Sequence, residues 1–219
     1  MSSNQQVTVI VPMGTSKAVV EHFVTSKQAW IQSAKDKFSQ AENGKSKSLL
    51  SLPQTIDLKA IGRSFEVIAN PSASTCISTL YAKPNNKILL THPQGDLDGT
   101  FGCLRAWVQK LARLHLPVVV NEMAEKHHVE VKKLIIRTQK TRWGSYSNSG
   151  TMSLNSKLMF LEKQYVELVI LHEMAHMTYH DHSQKFWAHL VSFEPHALEL
   201  DKHLNKLARE IPVWMHELA

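Results

Sequence analysis

The chain has 219 residues, enough for one or two domains with a buried core of ordinary size. A hydrophobic share of 43% and a charged share of 20% are typical of a globular protein and argue against a disordered or fibrous chain. The net charge of +6 favours anionic partners, including nucleic acid, without requiring one. Two cysteines give no disulfide framework, and the sequence shows neither a signal peptide nor a membrane-spanning run, so we expect a cytoplasmic protein without a membrane partner.

The first part of the chain joins a strand pattern to a helix pattern. Residues 7–11 are rich in β-branched side chains and predict a strand. Residues 17–38 carry apolar side chains at helical spacing and predict an amphipathic helix. Residues 39–54 are polar, contain Gly44 and Pro53, and predict a loop.

The pattern changes to short strands between residues 55 and 91. Four strands are predicted in two pairs, each around a turn: residues 55–58 with 64–68 around Gly62, and residues 77–82 with 87–90 around Pro84. We expect two hairpins that form one small antiparallel sheet. With the preceding helix, this sheet completes a predicted N-terminal region over residues 1–100.

A second region is predicted over residues 101–219, after a glycine-containing linker at residues 96–102. The apolar spacing from Leu104 to Leu114 predicts a helix. Pro117 has no backbone N–H to donate, so we expect the helix to kink or restart there. A further helical piece is expected to end near His127.

Three strands are predicted next, at residues 131–137, 141–145 and 151–155. They would give a following helix a sheet to pack on, and an edge strand can bind an extended peptide by strand addition. Either of the last two strands would serve. Ser145 and Asn155 are therefore candidate substrate contacts, with a structural turn or ladder hydrogen bond as the alternative.

Residues 172–176 read His-Glu-Met-Ala-His, the HExxH pattern of zinc-dependent hydrolases. Positions i and i+4 differ by about 40° in azimuth on an α-helix, so both imidazoles project from one face and can share a divalent cation. Glu173, beside the first ligand, reaches a water on that metal. The preceding residues 166–171 are largely apolar, which favours a buried helix that holds its ligands rigidly.

A catalytic zinc site needs a third protein ligand and leaves its fourth position to water. The sequence offers four candidates: His180, His182, Glu194 and Glu199. Asp181 and Ser183 flank His182 and are residue types that end or start helices by capping. We therefore expect the helix to stop near Tyr179 or His180, and we favour His182 as the third ligand.

The residues after this helix are expected to support the site. Ser183 is predicted to begin a short helix whose Phe186 and Trp187 pack beneath His182. A last helix is expected to start at Glu194-Pro195, because proline is tolerated at a helix start. Trp214, with the methionine after it, is expected to fold back onto the core.

Four pieces of the C-terminal half occur together in this order: Arg142-Trp143-Gly144-Ser145, Leu154-Asn155, His172 to His176, and His182-Ser183 with Phe186-Trp187. In these pieces the chain resembles the YgjP-like metallopeptidase family, a zincin-fold group related to the SprT-like and WLM proteins. The resemblance implies His172, His176 and His182 as ligands of Zn²⁺, or of another divalent transition metal, and Glu173 as the catalytic acid/base. The chain departs from the family at Tyr146, where a cysteine is typical.

Five basic side chains accompany the predicted strands: Lys132, Lys133, Arg137, Lys140 and Arg142. A solvated strand face is the simplest interpretation, since alternate strand residues point outward. The sharper one is a rim that binds a carboxylate, a phosphate or nucleic acid. Arg142 is the strongest candidate for such a substrate contact because it opens the motif that the family shares.

The sequence thus predicts an α+β fold, with a zincin-like catalytic half whose HExxH helix packs on a small sheet, and an N-terminal β-rich region with one helix. The predicted function is a zinc-dependent metallopeptidase in which Glu173 takes a proton from a metal-bound water that attacks a peptide bond. The predicted partner is a peptide or protein substrate. Three alternatives stay open: a nucleotide pyrophosphohydrolase, an SprT-like protease associated with nucleic acid, and a binding module with a structural metal.

Overall fold

The computed structural model describes residues 25–28, 51–73, 79–82 and 85–216. The chain divides into two compact units, Met1–Ser51 with Ala219, and Leu52–Leu218. Within the first unit, residues 25–28 form a helical turn. The strand predicted at 7–11, most of the helix predicted at 17–38 and the loop up to residue 50 lie outside the described residues. All elements named below belong to the second unit.

The first sheet contains four strands, β1 (Thr55–Leu58), β2 (Arg63–Ser72), β3 (Thr79–Ala82) and β4 (Lys87–Pro93), in the order β1-β2-β4-β3. The predicted pairings of β1 with β2 and of β3 with β4 are confirmed, and both are antiparallel. The prediction of an all-antiparallel sheet is wrong, because β4 lies between β2 and β3 and runs parallel to β2. Its alternate residues Ile88 and Leu90 are fully buried, as suits a central strand.

A single helix, α1 (Leu97–His127), follows the first sheet. The predicted linker at residues 96–102 is wrong: Asp96 caps the helix by accepting the backbone N–H of Gly99 at 3.0 Å, and two of the glycines lie inside it. The helix is also unbroken at Pro117, where a kink or a restart was predicted. It runs through this residue, with Leu116 and Val120 buried on either side. The predicted end near His127 is confirmed.

The position of α1 bears on how the chain is divided. It begins before residue 100 and contacts both β3 in the first sheet and β5 (Lys133–Arg137) in the second. The rings of Phe65 and Trp107 meet edge to face, with 4.9 Å between their centroids, where the first sheet packs on the helix. Leu52–Leu218 form one compact unit, so the packing is continuous across residue 100. The division into an N-terminal region over residues 1–100 and a catalytic region over residues 101–219 stays a prediction.

The second sheet contains β5, β6 (Gly144–Tyr146) and β7 (Thr151–Asn155), in the order β5-β7-β6. The prediction of three strands is confirmed, although β6 begins three residues later than predicted. β7 pairs parallel with β5 and antiparallel with β6. This arrangement puts β6 at one edge of the sheet and β7 in its centre. Of the two strands that were candidates for binding an extended peptide, only β6 has a free edge within this sheet.

Three helices complete the unit: α2 (Lys163–Ala175), α3 (Gln184–Phe193) and α4 (Ala197–Leu207). The helix α2 contacts β6, α3 and α4, and the apolar residues that precede its HExxH pattern are buried almost all round it. Trp214 lies in a short 3-10 helix and packs its buried ring against Phe160, which confirms the predicted return of the tail. The α+β class is confirmed. None of the helices that the structure describes is long and apolar enough to cross a membrane.

Candidate metal centre

The two histidines of the HExxH pattern lie at the C-terminal end of α2. His172 is in the last turn of the helix, and His176 caps its end, donating its backbone N–H to the carbonyl of His172. The i, i+4 spacing brings the Nε2 atoms of the two rings to 3.2 Å from each other. The predicted shared face is therefore present.

The chain turns back immediately after α2. The helix ends at Ala175, a turn earlier than the stop predicted near Tyr179 or His180. The backbone continues in tighter turns, in which Met177 donates its N–H to the carbonyl of Met174 and Thr178 donates to that of Ala175. The Nε2 atom of His182 then lies 3.0 Å from that of His172. His180, Glu194 and Glu199, the other candidates for a third ligand, are not in the three-histidine cluster found among the described residues.

Capping fixes the segment that carries His182. The carboxylate of Asp181 accepts the backbone N–H of Ser183 at 3.3 Å, and the Ser183 hydroxyl accepts the N–H of Phe186 at 3.5 Å. These two bonds start α3 at the predicted place. They also leave His182 between a helix end and a helix start, where its backbone has little freedom.

The chemistry of the three rings fits a bound cation. His176 Nδ1 lies 2.9 Å from the carbonyl oxygen of Tyr179, so Nδ1 carries the proton and Nε2 presents a lone pair. Burial lowers the pKa of His172 to about 4, and the neighbouring His176 and His182 add to the shift, so this ring is neutral. Nitrogen ligands about 2.0–2.1 Å from a tetrahedral Zn²⁺ lie about 3.3 Å apart, close to the 3.0 and 3.2 Å seen here.

Phe186 supports all three imidazoles at once. Its fully buried ring lies 4.9, 4.5 and 4.9 Å, centroid to centroid, from the rings of His172, His176 and His182. Trp187 adds contacts at 6.2 Å to the first and the third. The predicted packing of these two aromatic residues beneath the site is confirmed, and it restricts the rotation of the ligand rings.

Glu173 is a carboxylate held almost entirely away from water. Only 5% of its surface is exposed, and its Oε2 atom has no hydrogen-bond partner among the residues that the structure describes. Burial raises its pKa to about 7, and the positive charge of Arg142 acts against this shift. A group that takes up and releases a proton near neutral pH has the acid–base property that a general base requires.

Gly144 makes room for this carboxylate. A Cβ atom at position 144 would lie 2.5 Å from Oε1 of Glu173 and 2.8 Å from its Cγ, distances at which something must move. The first residue of β6 therefore has to be glycine if Glu173 is to keep its position on α2. Gly144 belongs to the Arg-Trp-Gly-Ser motif, but nothing in that motif predicts its close approach to Glu173.

Replacing Gly144 with Ala is expected to lower kcat/KM for peptide cleavage by about 100-fold, because a displacement of a catalytic group of about 1 Å has effects of that size. Zinc content, measured by elemental analysis, should stay unchanged, since no histidine is touched. Gly102→Ala is the matched control, because its Cβ would make only an ordinary contact of 3.6 Å. Full activity in the Gly144 variant would contradict the assigned role of the close contact.

An open cavity of about 410 Å³ faces the three histidines and Glu173. It is lined on the sheet side by Arg142, Gly144, Ser145, Tyr146 and Asn148. Two of the three predicted substrate contacts, Arg142 and Ser145, thus border the same space as the HExxH residues. Tyr146, the last residue of β6, also lies on this wall.

The third predicted contact, Asn155, lies elsewhere. It is 1% exposed, and its side-chain nitrogen donates to the carbonyl oxygens of Arg142 at 2.7 Å and Gln139 at 3.0 Å. Its side-chain oxygen accepts the backbone N–H of Lys157 at 3.1 Å. The amide is thereby occupied by the backbone, which matches the structural alternative, and the bonds hold the loop that carries Arg142 against the end of β7.

One family model and two solved structures are similar to this chain. The family model described as YgjP-like, metallopeptidase domain, matches residues 1–207. The crystal structure of the metallopeptidase zymogen abylysin of Pyrococcus abyssi is 23% identical over 42% of this chain and 94% of that chain, with a TM-score of 0.38. The crystal structure of the metallopeptidase zymogen jannalysin of Methanocaldococcus jannaschii is 24% identical over 42% of this chain and 96% of that chain, with a TM-score of 0.37. A search of curated proteins finds no match.

Proposed function

This chain belongs to the YgjP-like metallopeptidase family, and from that premise we propose that it cleaves peptide bonds with a zinc ion held by His172, His176 and His182. The observation that carries the assignment of residues is the convergence of three imidazole nitrogens beside one buried carboxylate. All of these groups face one open cavity. Family membership shows a metallopeptidase, and the choice of zinc rests on a ligand set made of nitrogen alone.

Zinc bound there would supply a Lewis acid for the substrate carbonyl and lower the pKa of a water toward about 7. The residues of the chain perform the remaining steps. Glu173 takes the proton of the attacking water and returns it to the amine that leaves. Its burial keeps bulk water from competing for that proton, and the Tyr179 carbonyl keeps His176 in the tautomer that presents Nε2.

The substrate is proposed to bind as an extended peptide along β6. This strand is at the edge of the second sheet, and its residues Gly144, Ser145 and Tyr146 line the cavity. An edge strand offers backbone donors and acceptors to an added strand. Arg142, at the entrance to β6 and close enough to Glu173 to affect its pKa, is proposed to bind a carbonyl oxygen of the substrate beside the metal.

The family match favours a peptide substrate over the other classes. Neither nucleotide hydrolysis nor association with nucleic acid is supported by the family match or by the described site. The basic side chains of Lys132, Lys133 and Arg137 are exposed, as a solvated strand face would be. A cytoplasmic location is also proposed, and the low cysteine content supports it.

The test is a parallel screen of the purified full chain against unstructured peptides and nucleoside triphosphates. We expect one zinc per chain by elemental analysis and peptide fragments by mass spectrometry. A chelator should abolish cleavage, and added zinc should restore it. Cleavage of a phosphoanhydride without cleavage of any peptide, or peptide cleavage that survives metal removal, would contradict the proposal.

A further inference from the structure

A second cavity adjoins the one that faces the metal centre. It has a volume of about 210 Å³, room for several water molecules at about 30 Å³ each. Four residues line both cavities: Arg142, Gly144, His172 and Glu173. A residue next to the bond being cleaved can therefore direct its side chain into the second cavity while its backbone stays beside Glu173.

The far wall of this cavity is formed by α4. Asp201, Leu204 and Asn205 of that helix line it, opposite Leu168 and Val169 of α2. The apolar residues offer surface to methylene groups, while Asp201 supplies a negative charge. Glu173 is the other carboxylate in the lining. It is buried beside the histidines and is assigned to the proton transfer, so Asp201 is the carboxylate that can bind a side chain.

The carboxylate of Asp201 lies within electrostatic reach of His182 but forms no ion pair among the described residues. No Lys, Arg or His lies within ion-pair distance of its carboxylate in the described part of the chain. Partial burial raises the pKa of Asp201, against the effect of His182, which means that its ionised form is short of solvation. A desolvated carboxylate gains most from a cation that arrives with its own hydrogen-bond donors.

Asn205 adds a second acceptor next to Asp201. It lies one helical turn further along α4, and its side-chain nitrogen donates to the backbone carbonyl of Asp201 at 3.2 Å. That bond uses one of the two N–H donors of the amide, and Oδ1 accepts no hydrogen bond from the described residues. On the α4 side of the cavity, the carboxylate of Asp201 and the Oδ1 atom of Asn205 therefore offer acceptors to an ammonium or guanidinium group.

We propose that this cavity binds the basic side chain, lysine or arginine, of a substrate residue flanking the scissile bond, with Asp201 as its countercharge. The inference rests on the proposed peptidase function and names the substrate class for the same site. The long stems of lysine and arginine would lie along Leu168, Val169 and Leu204. Arg142 also lines the cavity, but among the described residues its guanidinium forms no ion pair with Asp201.

Cleavage of a peptide series tests the proposal. Lysine, arginine, norleucine or glutamate is placed on each side of the cleaved bond in turn, and mass spectrometry locates the cut. The ratio of kcat/KM for lysine over norleucine should be about 10- to 100-fold, the range that a charge-assisted hydrogen bond provides. Asp201→Asn should bring this ratio close to one, and Asp201→Lys should shift the preference to glutamate.

The control is Glu199→Gln, which removes the same charge from an exposed position of the same helix. The ratio should keep its wild-type value in this variant. Zinc content is measured in every variant, so that a lost metal is not taken for a lost preference. Peptide cleavage with equal efficiency for lysine and norleucine would overturn the inference and leave the peptidase function intact.

Binding to the Glu173→Gln variant supplies a readout that does not depend on turnover. Lysine and norleucine peptides of otherwise identical sequence are titrated into that variant by calorimetry. We expect about 10-fold tighter binding of the lysine peptide, and the loss of this difference when Asp201→Asn is added. If no peptide is cleaved by the wild type, the proposed function fails, and equal binding of the two peptides would overturn the basic-side-chain cavity separately.

Discussion

Replacing Glu173 with Gln is expected to lower kcat for peptide cleavage by about 100- to 10,000-fold, the contribution typical of a positioned general base. Glutamine has nearly the same shape, so it fits beside Gly144 but accepts no proton from water at neutral pH. The three imidazoles are unchanged, and zinc content should stay at one per chain. Steady-state kinetics on one peptide and elemental analysis of the same preparation measure both quantities.

Glu167→Gln is the matched control for this experiment. It makes the same chemical change on the same helix, at a half-exposed residue whose partner is Lys163 at 3.6 Å. Activity of this variant should stay within a factor of about two of the wild type, since exposed pairs on a helix contribute little. A Glu173 variant that keeps wild-type turnover would remove the carboxylate from the mechanism. A variant that loses both metal and turnover would make it a structural support of the site.

The parts of the site that were predictable from sequence are those set by local geometry. The i, i+4 spacing of His172 and His176 gives one outcome on a helix, so their Nε2 atoms had to come close. Capping residues on both sides of His182 likewise limit where the chain can turn. Even there the end of α2 was misplaced by a turn, because the capping residues Asp181 and Ser183 mark the start of α3 and do not specify the last residue of α2.

The features that escaped prediction depend on contacts between distant segments. Two hairpins were recognisable, but nothing in either one specifies that β4 lies between β2 and β3. Asn155 fits a strand end equally well as a substrate contact or as a brace. Its role as a brace follows only from where the carbonyls of Gln139 and Arg142 lie. Nothing in the sequence sets Asp201 apart from the other polar residues of α4, and its cavity forms only when α4 packs beside α2.

Replacing His182 with Ala is expected to have the second large effect, through the metal rather than through the proton. The His172 and His176 pair that remains provides two ligands, where a catalytic zinc site uses three. We expect zinc affinity to fall by at least about 100-fold, more than the loss of a residue that only orients a ligand. Peptide cleavage should fall to background at zinc concentrations that saturate the wild type.

His180→Ala distinguishes a ligand from a nearby histidine. His180 lines the same open cavity, two residues before His182, but it is not in the cluster of three. Zinc titrations of the two variants should therefore differ, with His180→Ala close to the wild type and His182→Ala far weaker. Restoration of cleavage in His182→Ala by high zinc would show that the rest of the site is intact. The opposite ranking of the two variants would move the third ligand to position 180 and require the turn after α2 to adopt another conformation when metal binds.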